Sequence, residues 1–145
     1  MCRYTAWISI RKQTMKNYCI ILYCIILCGC STGHLANGWY PVADTPANVV
    51  EGKAIVTVED FANVTLDTVS IPDDVFIQGC LAADKVSLWA EATEDRIGKR
   101  IGFVFRDSVV MAPKINCRIE SGCFTISCPD KRLILEIYNS INNPD

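Results

Sequence analysis

Residues 18–28 form an unbroken apolar run of eleven residues, Tyr-Cys-Ile-Ile-Leu-Tyr-Cys-Ile-Ile-Leu-Cys, preceded by Lys16 and Asn17. A helix rises about 1.5 Å per residue and crossing about 30 Å of hydrocarbon takes about 20 residues, so this run is too short to span a bilayer. It also lacks the amphipathic face of a helix packed in a larger fold. Its length and basic flank fit the hydrophobic stretch of a secretory leader, so the folded part of the chain is expected to begin after it. Charge divides at the same place. Arg3, Arg11, Lys12 and Lys16 are the only charged residues before Cys30, and 10 bases and 16 acids follow it. The later part is therefore acidic, which repels phosphate backbones and excludes nucleic acid as an expected partner. With 145 residues, half of them hydrophobic, and only 14 prolines and glycines, that part can bury one small core and is not a disordered chain.

After the run stand Leu27, Cys28, Gly29 and Cys30, followed by the polar Ser31, Thr32 and Gly33. This resembles the lipobox of bacterial lipoproteins, where an aliphatic residue three before a cysteine, with small residues between, lets a lipoprotein signal peptidase bind the chain in extended form. Cys28 stands where Ala, Ser or Thr is more usual and is small enough for the same slot. The resemblance implies that residues 1–29 are a signal peptide and that Cys30 is acylated and becomes the first residue of the mature protein. At about 0.8 kcal/mol per buried methylene, two or three acyl chains would anchor it stably to a membrane. Met15, with Lys16 and Asn17, makes a compact leader start and is an alternative first residue to Met1. Ser31 after the cysteine resembles the sorting pattern of outer-membrane lipoproteins, which implies a cell-envelope protein facing the periplasm, at the outer rather than the inner membrane.

Of nine cysteines, Cys2, Cys19, Cys24 and Cys28 precede the expected cut and Cys30 would carry lipid. Cys80, Cys117, Cys123 and Cys128 remain, open to two disulfides in three connectivities or to service as small buried thiols. Cys117, Cys123 and Cys128 are spaced by six and five positions and lack the close pair of a zinc knuckle, and the single histidine, His34, stands far from them. No metal and no cofactor is expected.

Residues 30–50 read as a lipidated start and flexible tether, punctuated by Gly33, Asn37-Gly38, Pro41 and Pro46, with Trp39 and Tyr40 packing at the domain edge. Residues 51–145 read as the folded domain. Strands are expected over 54–58, 65–69 and 75–81, with turn chemistry at Ile71-Pro72-Asp73-Asp74 and a close backbone approach at Gly79. A helix capped by Asp84 would place Val86, Trp89, Ala90, Thr93 and Ile97 on one face and stop at Gly98. Residues 101–105 and 108–112 flank Arg106-Asp107 as a hairpin. Residues 115–119 and 123–127 flank Glu120-Ser121-Gly122 as a second, in which a Cys117–Cys123 bridge would be diagonal. Pro129 would open a last helix whose Leu133, Ile134, Ile137, Tyr138 and Ile141 form an apolar stripe. The expected fold is α+β, an antiparallel sheet of about six strands with two helices packed on one face.

Residues 89–113 read Trp-Ala-Glu-Ala-Thr-Glu-Asp-Arg-Ile-Gly-Lys-Arg-Ile-Gly-Phe-Val-Phe-Arg-Asp-Ser-Val-Val-Met-Ala-Pro. This combination resembles the head subdomain of the first periplasmic domain of the SecD/SecDF protein-export family. There, an aromatic-led helix with a threonine runs through Gly-Lys into strand, turn and strand closed by Ala-Pro. Trp89, Thr93, Gly98, Lys99, Ala112 and Pro113 carry the match, which continues through Ile115, Ile119, Ser121, Gly122 and Ile126. The residues themselves point to structural roles: Gly98 stops the helix, Lys99 and Arg100 lie near its carbonyl end, and Pro113 forces a bend. The resemblance implies a domain that handles exported polypeptide. The family's base subdomain, polytopic membrane part and intramembrane carboxylates have no counterpart in this sequence, so coupling to proton flow is not expected.

No catalytic constellation emerges. His34 falls in the tether, so a nucleophile in the domain has no imidazole base, and Asp73-Asp74 and Glu59-Asp60 read as solvated charge. The expected protein is a non-enzymatic envelope lipoprotein whose partners are the membrane, through its lipid, and a polypeptide or protein. The alternatives are a structural or interaction lipoprotein that shares only the fold and, less favoured, an enzyme.

Overall fold

In the computed structural model, which describes residues 33–70 and 74–143, the first strand falls inside the stretch expected to be a tether. That strand, β1 (Gly38–Val42), has Trp39, Tyr40 and Val42 buried and lies between two neighbours. The leader, the lipobox and Ile71, Pro72 and Asp73 of the expected turn lie outside the described residues. The remaining strands are β2 (Val56–Thr57), β3 (Phe61–Asp67), β4 (Phe76–Leu81), β5 (Arg100–Phe105), β6 (Ser108–Met111) and β7 (Cys123–Ser127). The helices are α1 (Val86–Asp95) and α2 (Lys131–Asn142).

The fold is α+β with all strand ladders antiparallel, but the strands divide between two sheets, ordered β2-β1-β5-β6 and β3-β4-β7. One core joins them. It takes Trp39, Ile101 and Phe103 from the first sheet, Ile77, Phe124 and Ile126 from the second, Trp89 from α1, and Ile134 and Ile137 from α2. Every buried apolar residue among those described lies between Trp39 and Ile137, so the fragment from Ser31 onward contains the whole of this core.

Pro41 sits in β1 without breaking the sheet. Its carbonyl accepts from the Glu51 N–H on the side away from β5, and β2 has already ended there, so no ladder bond needs the N–H that proline lacks. The expected strand over 54–58 shortens to β2, because Thr57 and Asp60 close a capping box that turns residues Val58–Asp60 into a 3-10 helix. The strand expected over 65–69 begins earlier, at Phe61, and ends at Asp67, whose carboxylate accepts the N–H groups of Val69 and Ser70 and turns the chain.

The hairpin of β5 and β6 forms as expected, with Phe105 opposite Ser108. Arg106 and Asp107 both take positive φ, 46° and 63°, as the two-residue turn matching strand twist requires. Neither is glycine, and neighbours offset the strain. The Asn37 side-chain oxygen accepts from the Arg106 N–H at 2.9 Å, and the Asp107 carboxylate accepts from the Leu35 N–H at 2.6 Å and meets His34 Nδ1 at 2.5 Å.

The second expected hairpin does not form. Residues 115–119 are not a strand; Ile115 makes an isolated bridge to Ile97, and β7 pairs instead with β4. The β7 register places Cys123 opposite Cys80, and these two form the disulfide, while Cys117 and Cys128 are free. The diagonal Cys117–Cys123 bridge is thereby excluded. Helix starts differ by a few residues. Asp84 lies in a 3-10 turn, Ala83–Lys85, and α1 begins at Val86 without a side-chain cap. Pro129 precedes the α2 cap, which is Asp130, whose carboxylate accepts from Arg132 and Leu133 N–H. α1 ends at Asp95, and Gly98, with φ of 80°, completes the reversal into β5.

Two consequences can be measured. The disulfide closes a loop between residues 43 apart, which in the chain-entropy account stabilises the fold by about 4 kcal/mol. The Cys80→Ala/Cys123→Ala variant should unfold at a correspondingly lower denaturant concentration, and a midpoint equal to that of the parent would show that the bridge does not constrain the unfolded chain. The hydrogen bond that His34 donates to Asp107, then the charge of that carboxylate, raises the His34 pKa above 6.5. The contact therefore contributes fully below 6.5 and is lost as pH climbs through the raised value. NMR should show the Leu35 amide losing protection across that range, and Asp107→Asn should remove the pH dependence; a His34 that titrates at its ordinary value without moving Leu35 would refute it.

Candidate functional site

The three-stranded sheet buries one face and leaves the other open. Ile77 and Leu81 of β4, Val64 and Leu66 of β3, and Phe124 and Ile126 of β7 turn to the core, as strand alternation requires. Their neighbours face the other way in rows set by the register: Asn63, Cys80 and Cys123; then Thr65, Gln78 and Thr125; then Asp67, Phe76 and Ser127, a row in which Phe76 is itself buried. The first two rows, with Ile119 at the rim, line an open trough of about 490 Å³.

Close contact from beneath shapes its floor. A methyl group added at Gly79 would stand 2.4 Å from Phe124 Cζ, so only glycine lets this ring lie against β4. On the outer side the Cys80–Cys123 bridge ties the same two strands. The Leu81 N–H donates to the Gly122 carbonyl, so the alternate residues of β4, Cys80 included, turn their backbone groups to β3. Cys80 and Cys123 are thus a non-hydrogen-bonded pair, the closer of the two cross-strand arrangements, with Cα atoms 4.0 Å apart.

The same register pairs the backbone groups of Asn63, Thr65 and Asp67 with β4 and leaves those of Val64 and Leu66 pointing away from the sheet. No other backbone group among the described residues meets them. β3 is therefore an open edge beside the trough.

Among the described residues no charged side chain lines the trough. Its polar groups are the amides of Asn63 and Gln78 and the hydroxyls of Thr65 and Thr125, which can both donate and accept. Gln78 Nε2 donates to Asp67 Oδ2 at 3.2 Å. Asp67 itself is held below the usual carboxylate range, first by the Ser70 hydroxyl and then by the Ser70 and Val69 N–H groups, so it stays an ionised acceptor one row beyond the trough.

The residues of the Trp-to-Gly motif support this surface and do not line it. Thr93 is fully buried; its hydroxyl donates to the Ala90 carbonyl and accepts from the Ile119 N–H, both at 3.0 Å, which holds Ile119 at the rim. Arg118 pairs with Glu94 and Glu120 beside it. Ser121 Oγ accepts from the Cys123 N–H, and Gly122, with φ of 65°, packs so close to Val86 that a methyl group would lie 2.8 Å from its Cγ2. Trp89 lies in the core against Trp39, their ring centroids 5.7 Å apart.

Gly98, Lys99, Ala112 and Pro113 lie elsewhere, around the start of β5. Pro113 and Ala112 supply carbonyls to the Ile101 N–H and to Arg100 Nη1. Arg100 does not sit at the α1 carbonyl end as expected, because Asp44 and the Ala112 carbonyl draw its guanidinium across the sheet. Arg96 does the joining there, donating from Nη2 to the Val42 and Arg100 carbonyls and to Glu51. Cys117 is exposed and Cys128 half-buried, and neither reaches the trough lining. The lining residues Asn63, Thr65, Gln78 and Thr125 went unnoticed in the sequence; their only signal is polar alternation within three strands.

The SecDF P1 head subdomain profile matches residues 38–132. Among solved structures, the chain is similar to a SecDF described as a membrane component that enhances protein export, at 17% identity and a TM-score of 0.63, covering 75% of this chain and 63% of that one. It is also similar to SecDF in a super-membrane-facing form, at 17% identity and a TM-score of 0.60, covering 72% of this chain and 18% of that one. At this identity the likeness is one of fold, and the chain spans less than two thirds of either relative. No curated protein matches it. With the Gly98 reversal, the β5–β6 hairpin and all of the core but the α2 residues inside the matched span, the chain belongs to the SecDF P1 head subdomain family.

Proposed function

We propose that this is a lipid-anchored protein of the bacterial cell envelope whose head domain holds extended polypeptide without catalysis, in a role linked to protein export. The observation that carries the reading is an uncharged trough of amides and hydroxyls beside the unpaired edge of β3. Such groups match the repeating donors and acceptors of a peptide backbone whatever its side chains, and an open strand edge can take a further strand. The role of the SecDF relative, enhancement of protein export, supports the same direction. Residues 1–29 would be removed as a signal peptide, and Cys30 would carry the lipid that holds the domain at the periplasmic side, at the outer membrane by the Ser31 pattern. Among the described residues no helix is long and apolar enough to cross a membrane, so in this reading attachment rests on the lipid.

The fragment from Ser31, once its dispersed NMR spectrum establishes that it is folded, should be titrated with unfolded mature-region peptides. Saturable shifts are expected at Thr65, Gln78, Thr125 and the β3 amides. The Thr65→Ala/Gln78→Ala/Thr125→Ala variant should bind roughly tenfold more weakly or worse, at 0.5–1.5 kcal/mol for each lost hydrogen bond. A folded spectrum unmoved at millimolar peptide would instead favour an interaction lipoprotein that shares only the fold. Lipidation has its own test. Mass spectrometry of the protein from bacterial membranes should find residues 1–29 absent and acyl chains on Cys30, and Cys30→Ala should leave an uncleaved precursor; normal cleavage of that variant would remove the anchor from the proposal.

A further inference from the structure

The bases of the domain are not spread evenly. Arg96, Lys99, Arg100 and Lys114 gather at the end of the first sheet where β1 finishes and β5 begins, and Lys53 follows two residues after the Glu51 that Arg96 holds, so five of the ten bases after Cys30 belong to this region. Hydrogen bonds fix the grouping. Arg100 and Lys114 form a bridge, the Lys99 carbonyl accepts from the Ile115 N–H, Arg96 reaches the Val42 carbonyl, and Val49 and Val50 fold back on Ala43 and Val42.

Three acids share this pole. Asp44 is held by Arg100 at 2.8 Å and Glu51 by Arg96 at 3.0 Å, while Asp95 ends α1. Lys53, Lys99 and Lys114 are exposed and make no ion pair among the described residues. Two aliphatic side chains stand among them, Val49 at 55% and Ile97 at 50% exposure. The pole is thus three adjacent loops that each present a lysine, two of them with an exposed aliphatic residue.

We infer that this pole docks on an anionic lipid surface. Aliphatic side chains that enter the headgroup region, ringed by lysines whose stems are apolar and whose ammonium groups reach anionic headgroups, are the chemistry such a surface selects. The acidity of the whole domain does not oppose it. β5 runs from this pole to the Arg106-Asp107 turn over about 17 Å, roughly twice the screening length of about 8 Å in physiological salt, so acids at the far end are screened from the contact. The chain enters the domain at that far end, where His34 and Leu35 are held by Asp107 and Asn37 by Arg106.

The inference does not rest on peptide binding or on lipidation, and its test uses neither. The fragment from Ser31 should cosediment with vesicles of equal phosphatidylglycerol and phosphatidylcholine and not with phosphatidylcholine alone. Lys53→Gln/Lys99→Gln/Lys114→Gln, which changes only exposed side chains, should weaken binding about a hundredfold. Val49→Ser/Ile97→Ser should weaken it while leaving its salt dependence intact. Lys131→Gln/Arg132→Gln, at the start of α2, should leave it unchanged. Failure to bind the anionic vesicles, equal binding to neutral ones, or a comparable loss in the Lys131/Arg132 variant would each overturn the inference.

Discussion

Trp39 is the residue on which the two sheets agree. It is only 3% exposed, and its ring meets Trp89 of α1, Phe103 of β5 and Phe124 of β7 at centroid distances of 5.7, 5.3 and 5.6 Å. The contacts to Phe103 and Phe124 are edge-on, an arrangement worth about 0.5–1.5 kcal/mol per pair beyond burial itself. One strand residue thus touches a helix, its own sheet and the opposite sheet. The arrangement has a cost: the indole N–H groups of both tryptophans are buried without a partner among the described residues. Each such group costs about 1–3 kcal/mol, a sum that truncating a buried aromatic, at about 3–5 kcal/mol, shows the packing can offset.

From Trp39 the constraint passes to the trough through Phe124. That ring packs at a tilt on Phe61, centroids 4.4 Å apart, and lies against Gly79, so it fixes β3, β4 and β7 from the core side. The Cys80–Cys123 bridge fixes β4 and β7 from the solvent side one residue along, beside Gly79 and Phe124. Clamped on both faces, the strands can present Thr65, Gln78 and Thr125 in a row without those residues contributing to the core. This division leaves the exposed row free to serve recognition.

Local pattern made the α2 stripe, the Trp89, Ala90 and Thr93 face of α1 and the β5–β6 hairpin legible, since each is decided by residues near in sequence, whereas Ile97, expected on the α1 face, lies beyond the helix and is half exposed. β1 was not, because Gly38, Pro41 and Pro46 are punctuation in a local reading, and only the early end of β2 makes Pro41 acceptable. The sequence marked residues 123–127 as a strand but could not say which strand it joins. A neighbour three residues away competed with β4, 43 residues away across the disulfide, and the distant partner won because its core face holds Gly79 for Phe124. The Arg96 junction left no pattern at all, since a guanidinium that gathers backbone carbonyls needs no particular residue opposite it.

The trough itself was the least legible part, and the reason is physical. The motif that identifies the family works at one remove: Thr93 holds Ile119, Gly122 lets Val86 approach, and Trp89 backs Trp39. Residues that build a scaffold must satisfy burial and backbone geometry together, so they carry a strong pattern. Thr65, Gln78 and Thr125 satisfy neither demand, because they are exposed and sit in regular ladder, and Asn63, beside the β3 irregularity, is exposed as well. Any small polar residue would fold as well in their places. Their identity is therefore free of the fold and available to function, which is why a family assigned by its scaffold residues leaves the chemistry of each member's open face to be read from the structure.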